Sequence, residues 1–296
     1  MSAYEERPFR FGVNLVNPSP LAEWSAKCRK AEDLGYDVLT VPDHLGAPAP
    51  FPALVAAAAA TERVRLGTYA LNTAFHNPVL LARDVAGTDA LTGGRLEVGI
   101  AAGSIRPGTN SEGVPFPPPG QRVDSLERSV IELRKLLADP AFEPKPTQAG
   151  GPPLLIAGNG DRVLRLAAEH ADIVGFTGIF QTENPWPKLA NPDELGARID
   201  VVNRLLGDRA DTVVFNLLIQ QVIVTDDPLA TARTWADHPL AHFTPEELLA
   251  CTSWLIGTTE EIAERLRFLR SRLGISYFVV LEPWMEQFAE VMKILR

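Results

Sequence analysis

RVRLGTYALNTAFHNPVLLARDVAGTDALTGGRLEVGIAAGS, residues 63–104, holds a strand, a helix and a second strand, with each boundary marked by a readable residue. Residues 64–71 are rich in apolar side chains, with Gly67 and Thr68 inside the run, and read as a strand buried on both faces. Asn77 is suited to cap a helix, and Pro78 suits the first turn, where the N–H that proline lacks would go unpaired anyway. Val79, Leu80, Ala82, Val85, Ala86, Ala90 and Leu91 recur at helical spacing, so the helix is expected to lay that stripe on a sheet. Gly93 and Gly94 end it, because glycine takes the left-handed conformation needed just past a helix. Residues 96–100 then resume as another buried strand. Two buried strands joined through such a helix make a parallel βαβ unit with a right-handed crossover.

Outward from this unit the same alternation continues. Strands are expected at 9–16, 37–41, 152–157, 172–177, 212–225 and 275–281, and helices at 21–34, 52–60, 123–137, 162–169 and 193–206. A further helix begins at Thr258, with Glu261 three residues on as its capping-box partner, and residues 228–256 hold extra helical material. The proline-rich segment after Gly103 is too polar and too broken for core, and reads as a functional loop. Eight strands alternating with helices are the pattern of a (β/α)8 TIM barrel with loop insertions at its C-terminal face, here one domain over residues 1–296. A doubly wound open sheet is the competing fold, but no GxGxxG follows the first strand.

Composition narrows the class of function. Lys and Arg total 28 against 37 Asp and Glu, and a net charge of −9 without a local basic patch argues against nucleic acid and anionic membranes as partners. The longest apolar run, 53–60, is far short of the roughly 18 residues a membrane span needs. The start of the chain carries Glu5 and Glu6 and does not read as a signal peptide. Cys28 and Cys251 stand far apart without a motif, which points to buried thiols in a reducing cytoplasm. A cytoplasmic enzyme acting on a small molecule, as a homodimer, is the expectation.

A barrel of this type carries its site at the carboxyl ends of the strands. Asn14, Asp43, His44, Tyr69, Ala70, Leu71, Asn72, Thr73, Ala102, Gly103, Ser104, Gly158, Asn159, Gly160 and Thr177 all fall there. Asp43 and His44 suit general acid or base work, since histidine titrates near neutrality and an adjacent carboxylate can orient it. The plainer reading is an aspartate that caps a turn and a histidine that packs. Gly158, Asn159 and Gly160, followed by Asp161, suit a phosphate cradle, though a tight strand-to-helix turn uses glycines as well. Tyr69, Phe75, His76, Phe116, Phe176 and Phe180 are either an apolar substrate pocket or ordinary packing. His170, His238 and His242 lack zinc-ligand spacing, so no metal is assigned. No Ser-His-Asp order or nucleophile elbow is visible, which sets hydrolase chemistry aside.

The order and spacing of several short stretches carry a resemblance over nearly the whole chain. They are Ala31-Glu32-Asp33-Leu34-Gly35-Tyr36-Asp37, Pro42-Asp43-His44, Arg65-Leu66-Gly67-Thr68, Asn77-Pro78, Gly93-Gly94-Arg95 and Ile100-Ala101-Ala102-Gly103. Gly120-Gln121-Arg122, the run 153–160, Ala171-Asp172 and Ile256-Gly257-Thr258 complete the set. Together they resemble the bacterial luciferase-like superfamily, whose members use flavin mononucleotide (FMN) or the deazaflavin coenzyme F420. Leu66-Gly67-Thr68 and Asp43-His44 resemble the F420-dependent branch more closely.

The resemblance implies that His44 lies against the coenzyme ring, that Ala102 and Gly103 let the coenzyme sit close above the mouth, and that a non-proline cis peptide lies near Tyr69-Ala70. Some sugar-phosphate-oxidising relatives carry a glutamate where this chain has Ser104, and that departure leaves the substrate open; Glu112 reads as a solvated loop residue. Neither the 158–160 turn nor Asp161 offers a side-chain cation for a phosphate dianion, which favours the phosphodiester of F420 over FMN. Arg106 and Arg122 either meet the glutamyl tail of F420 or are ordinary surface arginines. The leading expectation is an F420-dependent oxidoreductase that moves hydride to or from a small organic substrate. The alternatives are an FMN monooxygenase served by a separate reductase and a catalytically silent flavin-binding barrel.

Overall fold

The computed structural model describes residues 7–103, 116–180, 188–236 and 243–296. The chain opens with β1 (Arg10–Asn14), α1 (Leu21–Asp33), β2 (Val38–Val41), α2 (Pro50–Ala60), β3 (Arg65–Thr68), β4 (Leu71–Asn72), α3 (Pro78–Leu91) and β5 (Leu96–Ala101). It continues with α4 (Pro119–Ala138), β6 (Leu154–Ala157), α5 (Asp161–His170), β7 (Ile173–Phe176), the short β8 (Ile179–Phe180) and β9 (Lys188–Leu189), and α6 (Pro192–Leu206). Last come β10 (Val214–Ile219), β11 (Gln221–Val224), α7 (Pro228–Ala236), α8 (Pro245–Ala250), β12 (Trp254–Gly257), α9 (Thr259–Leu273), β13 (Ile275–Leu281) and α10 (Met285–Leu295).

Pairing runs β3-β2-β1-β13-β10-β7-β6-β5-β4, and β3 also pairs with β5, so the sheet closes on itself. Every pairing in it is parallel, and with the flanking helices this is the (β/α)8 barrel the sequence predicts. All eight expected strands are present, with two of them interrupted. The 64–71 run breaks at a cis Tyr69-Ala70 peptide, the bond the resemblance implies, after which β4 lies against Ile100 and Ala101 of β5. The 212–225 run breaks at Gln220, whose N–H donates to the Ser253 carbonyl at 2.7 Å. Beyond it β11 leaves the barrel and pairs with β12 in a separate parallel ribbon. The expected helix at 123–137 starts earlier, at Pro119, because proline fits a first turn that needs no N–H from it.

Strand alternation divides the side chains between two cores. Phe11, Val13, Leu39, Val41, Leu66, Val98, Ile100, Val174 and Phe176 face outward under the helices. Val38, Tyr69, Leu155, Ile173, Leu218, Tyr277 and Val279 fill the barrel itself. Its amino end is sealed by the buried Glu97 carboxylate, which accepts from Arg10 and, at 2.5 Å, from Arg65 Nε, while the Arg10 guanidinium lies 4.6 Å from the Tyr277 ring centroid. Paired and hydrogen-bonded, these charges plug the floor and leave the carboxyl end as the open one.

Asn77 caps α3 as expected, accepting from the Val79 and Leu80 N–H groups at 3.0 and 3.3 Å. The buried stripe of that helix is Leu81, Ala82, Val85, Ala86, Thr88 and Asp89, whereas Val79, Leu80 and Leu91 are at least half exposed, against the sequence reading. Asp89 tolerates full burial because its carboxylate accepts from the N–H and the side-chain amide of Gln148 at 2.9 and 2.7 Å. Thr258 and Glu261 form the expected capping box on α9. Strand β12 and the terminal helix α10 were not anticipated.

Candidate active site

The carboxyl ends of β2, β4 and β5 are bolted together by polar contacts around Asp43. Pro42 stops β2, and the Asp43 carboxylate just beyond accepts from the Asn72 N–H at 3.0 Å and from His76 Nε2 at 2.8 Å. Asn72 is buried, and its side-chain oxygen accepts from the Ala74 N–H at 3.2 Å; Thr73 donates to the Ala101 carbonyl at 3.2 Å. The carboxylate partner is therefore His76, 33 residues away, and not the neighbouring His44. His44 is exposed at the rim, with its Nδ1 3.3 Å from the Leu45 carbonyl. No sequence signal links Asp43 to His76; the approach comes from the 3-10 turn Thr73–Phe75 that follows β4.

Gly103 follows β5 with a φ of 76°, and a Cβ there would stand 2.4 Å from the Asn72 side chain. Only glycine fits this position. With Ala70 ahead of β4 and Ala102 behind β5 it makes a wall of small residues at two paired strand ends. The Tyr69 side chain does not contribute to that wall: it points down the barrel, and its hydroxyl donates to Asn216. Burial raises its pKa well above the usual tyrosine range, so it stays protonated. Leu71 is fully buried among the outer core residues.

Next along the mouth, at the end of the strand paired with β5, Gly158, Asn159 and Gly160 join β6 to α5. A Cβ on Gly158 would meet Val163 at 2.8 Å, so this glycine serves the packing of strand against helix, whereas Gly160 has an ordinary φ of −75° and open space. Asn159 donates to the Ile179 carbonyl at 2.8 Å, and its own buried side-chain oxygen has no partner among the described residues. The cations bonded at this helix start are committed: Arg162 to Asp124 and Glu127, both at 2.9 Å, and Arg198 to Asp161. The Arg198 hydrogen bond holds the Asp161 carboxyl below its ordinary range.

The six aromatic candidates separate. Phe176 packs against Phe215 in the outer core at 6.0 Å, and Phe180 lies in the β8–β9 ribbon. Phe75 and Phe116 form a rim cluster at 6.0 Å, with the Arg122 guanidinium 4.2 Å from the Phe116 centroid. Asn14 accepts from Thr40 at 3.1 Å, and Thr177 donates to the Ile179 carbonyl at 3.2 Å, both at strand ends. Ser104, Arg106, Glu112, His238 and His242 lie outside the described residues. Among the described residues no helix is long and apolar enough to cross a membrane.

The family model of the luciferase-like monooxygenases matches residues 7–185. An F420-dependent glucose-6-phosphate dehydrogenase of Nakamurella multipartita is 30% identical over 95% of this chain and 92% of its own. A 4-hydroxyprotoasukamycin monooxygenase of Streptomyces nodosus subsp. asukaensis is 35% identical over 32% of this chain, which spans only 25% of that protein's length. An F420-dependent secondary alcohol dehydrogenase, solved with an F420-acetone adduct, superposes with a TM-score of 0.74 at 20% identity, covering 98% of this chain and all of the other, a likeness of fold. The family model spans more than half of the chain and the Nakamurella relative nearly all of it: the chain belongs to the luciferase-like monooxygenase family.

Proposed function

We propose that this protein is an F420-dependent oxidoreductase acting on a small organic substrate at the carboxyl end of the barrel. The observation that carries the choice of coenzyme is the 158–160 turn, where α5 presents backbone donors while Arg162 and Arg198 are spent on carboxylates. A phosphodiester with one negative charge suits such a turn better than a phosphate dianion. The unpartnered Asn159 oxygen suits a hydroxyl of the adjoining sugar-alcohol chain. Ala70, Ala102 and Gly103 leave room for a flat ring against the mouth. When bound, F420 supplies two-electron hydride chemistry, and the protein's part is positioning and proton management.

In this reading the small wall seats the ring, and His44 at the open rim exchanges a proton with the substrate oxygen. Asp43 holds the rim in register through Asn72 and His76. The full-length similarity to an F420-dependent dehydrogenase supports the coenzyme. The substrate is left as a small molecule, since Ser104 stands where some sugar-phosphate-oxidising relatives carry a glutamate.

Equilibrium titration with F420 and with FMN, at low and moderate salt, tests the proposal. F420 is expected to bind at least about tenfold more tightly, a difference of roughly 1.4 kcal/mol. The second reading, an FMN monooxygenase with a separate reductase, draws on the local similarity to the Streptomyces monooxygenase. A protein that purifies yellow with FMN and ignores F420 would establish that reading instead.

A further inference from the structure

We infer that a separate anion-recognising pocket, formed where the start of α3 meets the second and third turns of α4, takes a compact oxyanion, a phosphate or a carboxylate. The cavity there measures about 220 Å³, and its polar lining comes from Thr73, His76, Asn77, Ser125, Arg128 and Ser129. Among the described residues no carboxylate lines it. A water occupies about 30 Å³ in the liquid, so the space exceeds what one or two bridging waters fill.

Three observations give the pocket its polarity. Ser129 is fully buried, and its hydroxyl has no hydrogen-bond partner among the described residues. A serine inside a helix ordinarily satisfies itself on the carbonyl four residues back, as Ser125 does on Gln121 at 3.0 Å. A buried hydroxyl left unmet at a cavity wall calls for a partner from within that cavity. Arg128 has no ion pair or hydrogen bond among the described residues, whereas the acids near it on α4 are occupied, Asp124 and Glu127 by Arg162 and Glu132 by Lys135. His76 is held by Asp43 through Nε2, so the ring is fixed in place at the cavity edge. Asn77 is spent on the α3 cap, Thr73 on the Ala101 carbonyl and Ser125 on the Gln121 carbonyl, which leaves Arg128 and Ser129 as the donors that meet a ligand, with His76 at the edge. A guanidinium with a buried hydroxyl beside it is a donor pair for an anionic oxygen group.

Because His76 joins this pocket to Asp43, an anion bound on one side of the imidazole sits one side chain away from the mouth. The pocket thus holds the charged end of a molecule whose remainder can extend toward the site. This assignment stands apart from the choice between F420 and FMN, and its test uses no coenzyme.

The apo protein is titrated with inorganic phosphate and, separately, with acetate, by calorimetry and by amide NMR shifts at ionic strength held constant with chloride. Saturable binding is expected, with shifts centred on residues 73–79 and 125–129. Arg128→Met should weaken it at least about tenfold, as loss of a charge-assisted contact does. Ser129→Ala should weaken it roughly three- to tenfold without lowering the melting temperature, since that hydroxyl makes no bond among the described residues. Arg83→Met, which removes an α3 cation already paired with Asp84, should leave affinity unchanged. Tighter phosphate than acetate assigns the pocket to a phosphate ester, and the reverse order to a carboxylate. Absence of saturable binding by both probes, binding indifferent to Arg128→Met and Ser129→Ala, or equal weakening by Arg83→Met would overturn the inference.

Discussion

Replacing Gly103 by alanine tests the architecture of the mouth directly. The residue sits at φ 76°, where an L side chain costs about 1–2 kcal/mol. Its new methyl would stand 2.4 Å from the Asn72 side chain, more than 1 Å inside ordinary contact, and forcing room in a packed site costs about 1–3 kcal/mol more. A destabilisation of roughly 2–5 kcal/mol follows. The displacement does not stay local: Asn72 accepts from Ala74 and donates its N–H to Asp43, so moving it disturbs the β2 end and the small wall together. Denaturant unfolding should register the stability loss, and F420 titration of the folded fraction should show affinity reduced at least about tenfold. Gly160→Ala is the matched control, since an ordinary φ and open space predict a stability change within about 0.5 kcal/mol. Wild-type stability in Gly103→Ala would refute the steric argument, and normal F420 affinity in a destabilised Gly103→Ala would move the coenzyme away from this wall.

Three further outcomes are expected. His44→Ala should reduce turnover by roughly 10²- to 10⁴-fold with coenzyme affinity little changed, and Asp43→Asn by a smaller factor; steady-state kinetics beside coenzyme titration checks both, and a loss reproduced by His76→Asn but absent in His44→Ala would transfer the proton role to the Asp43–His76 pair. Glu32→Gln should cost about 2 kcal/mol at neutral pH, because the Glu32 carboxylate accepts the N–H groups of Glu62, Arg63 and Val64 ahead of β3 and an amide turns a donor toward one of them. Burial pushes that carboxyl upward, but those backbone donors bring it below its ordinary 4.5, so its stabilisation is complete above about pH 4.5 and is lost as pH falls through the lowered value. Unfolding curves of wild type and Glu32→Gln should therefore converge on acidification. Cys28 and Cys251 should resist thiol reagents until the protein unfolds, since both are buried and desolvation pushes the Cys28 thiol up to about 12; rapid native-state labelling would contradict this.

Local signals were sufficient for the barrel. Each βα unit carries its own boundary marks, such as the Asn77-Pro78 start, the Gly93-Gly94 stop and the Thr258–Glu261 capping box, and these act over a few residues whatever the rest of the chain does. Counting eight such units implied closure, and closure implied which strand ends share a face. The Tyr69-Ala70 break follows from the resemblance, but the interruption of the 212–225 strand is not legible. The 212–225 run has the same apolar character on both sides of Gln220, and only the contact with Ser253, 33 residues on, decides that β11 leaves the barrel. The α3 stripe is legible at Ala82, Val85 and Ala86, whereas the burial of Asp89 depends on Gln148, a partner 59 residues away. The site followed the same division. Strand-end position singled out Asp43, the small wall and the 158–160 turn, while the pairing of Asp43 with His76, the commitment of Arg162 and Arg198, and the unmet hydroxyl of Ser129 are products of packing between distant segments. Hydrogen-bond geometry depends on where side chains come to rest in three dimensions, and sequence spacing carries that information only within a single element.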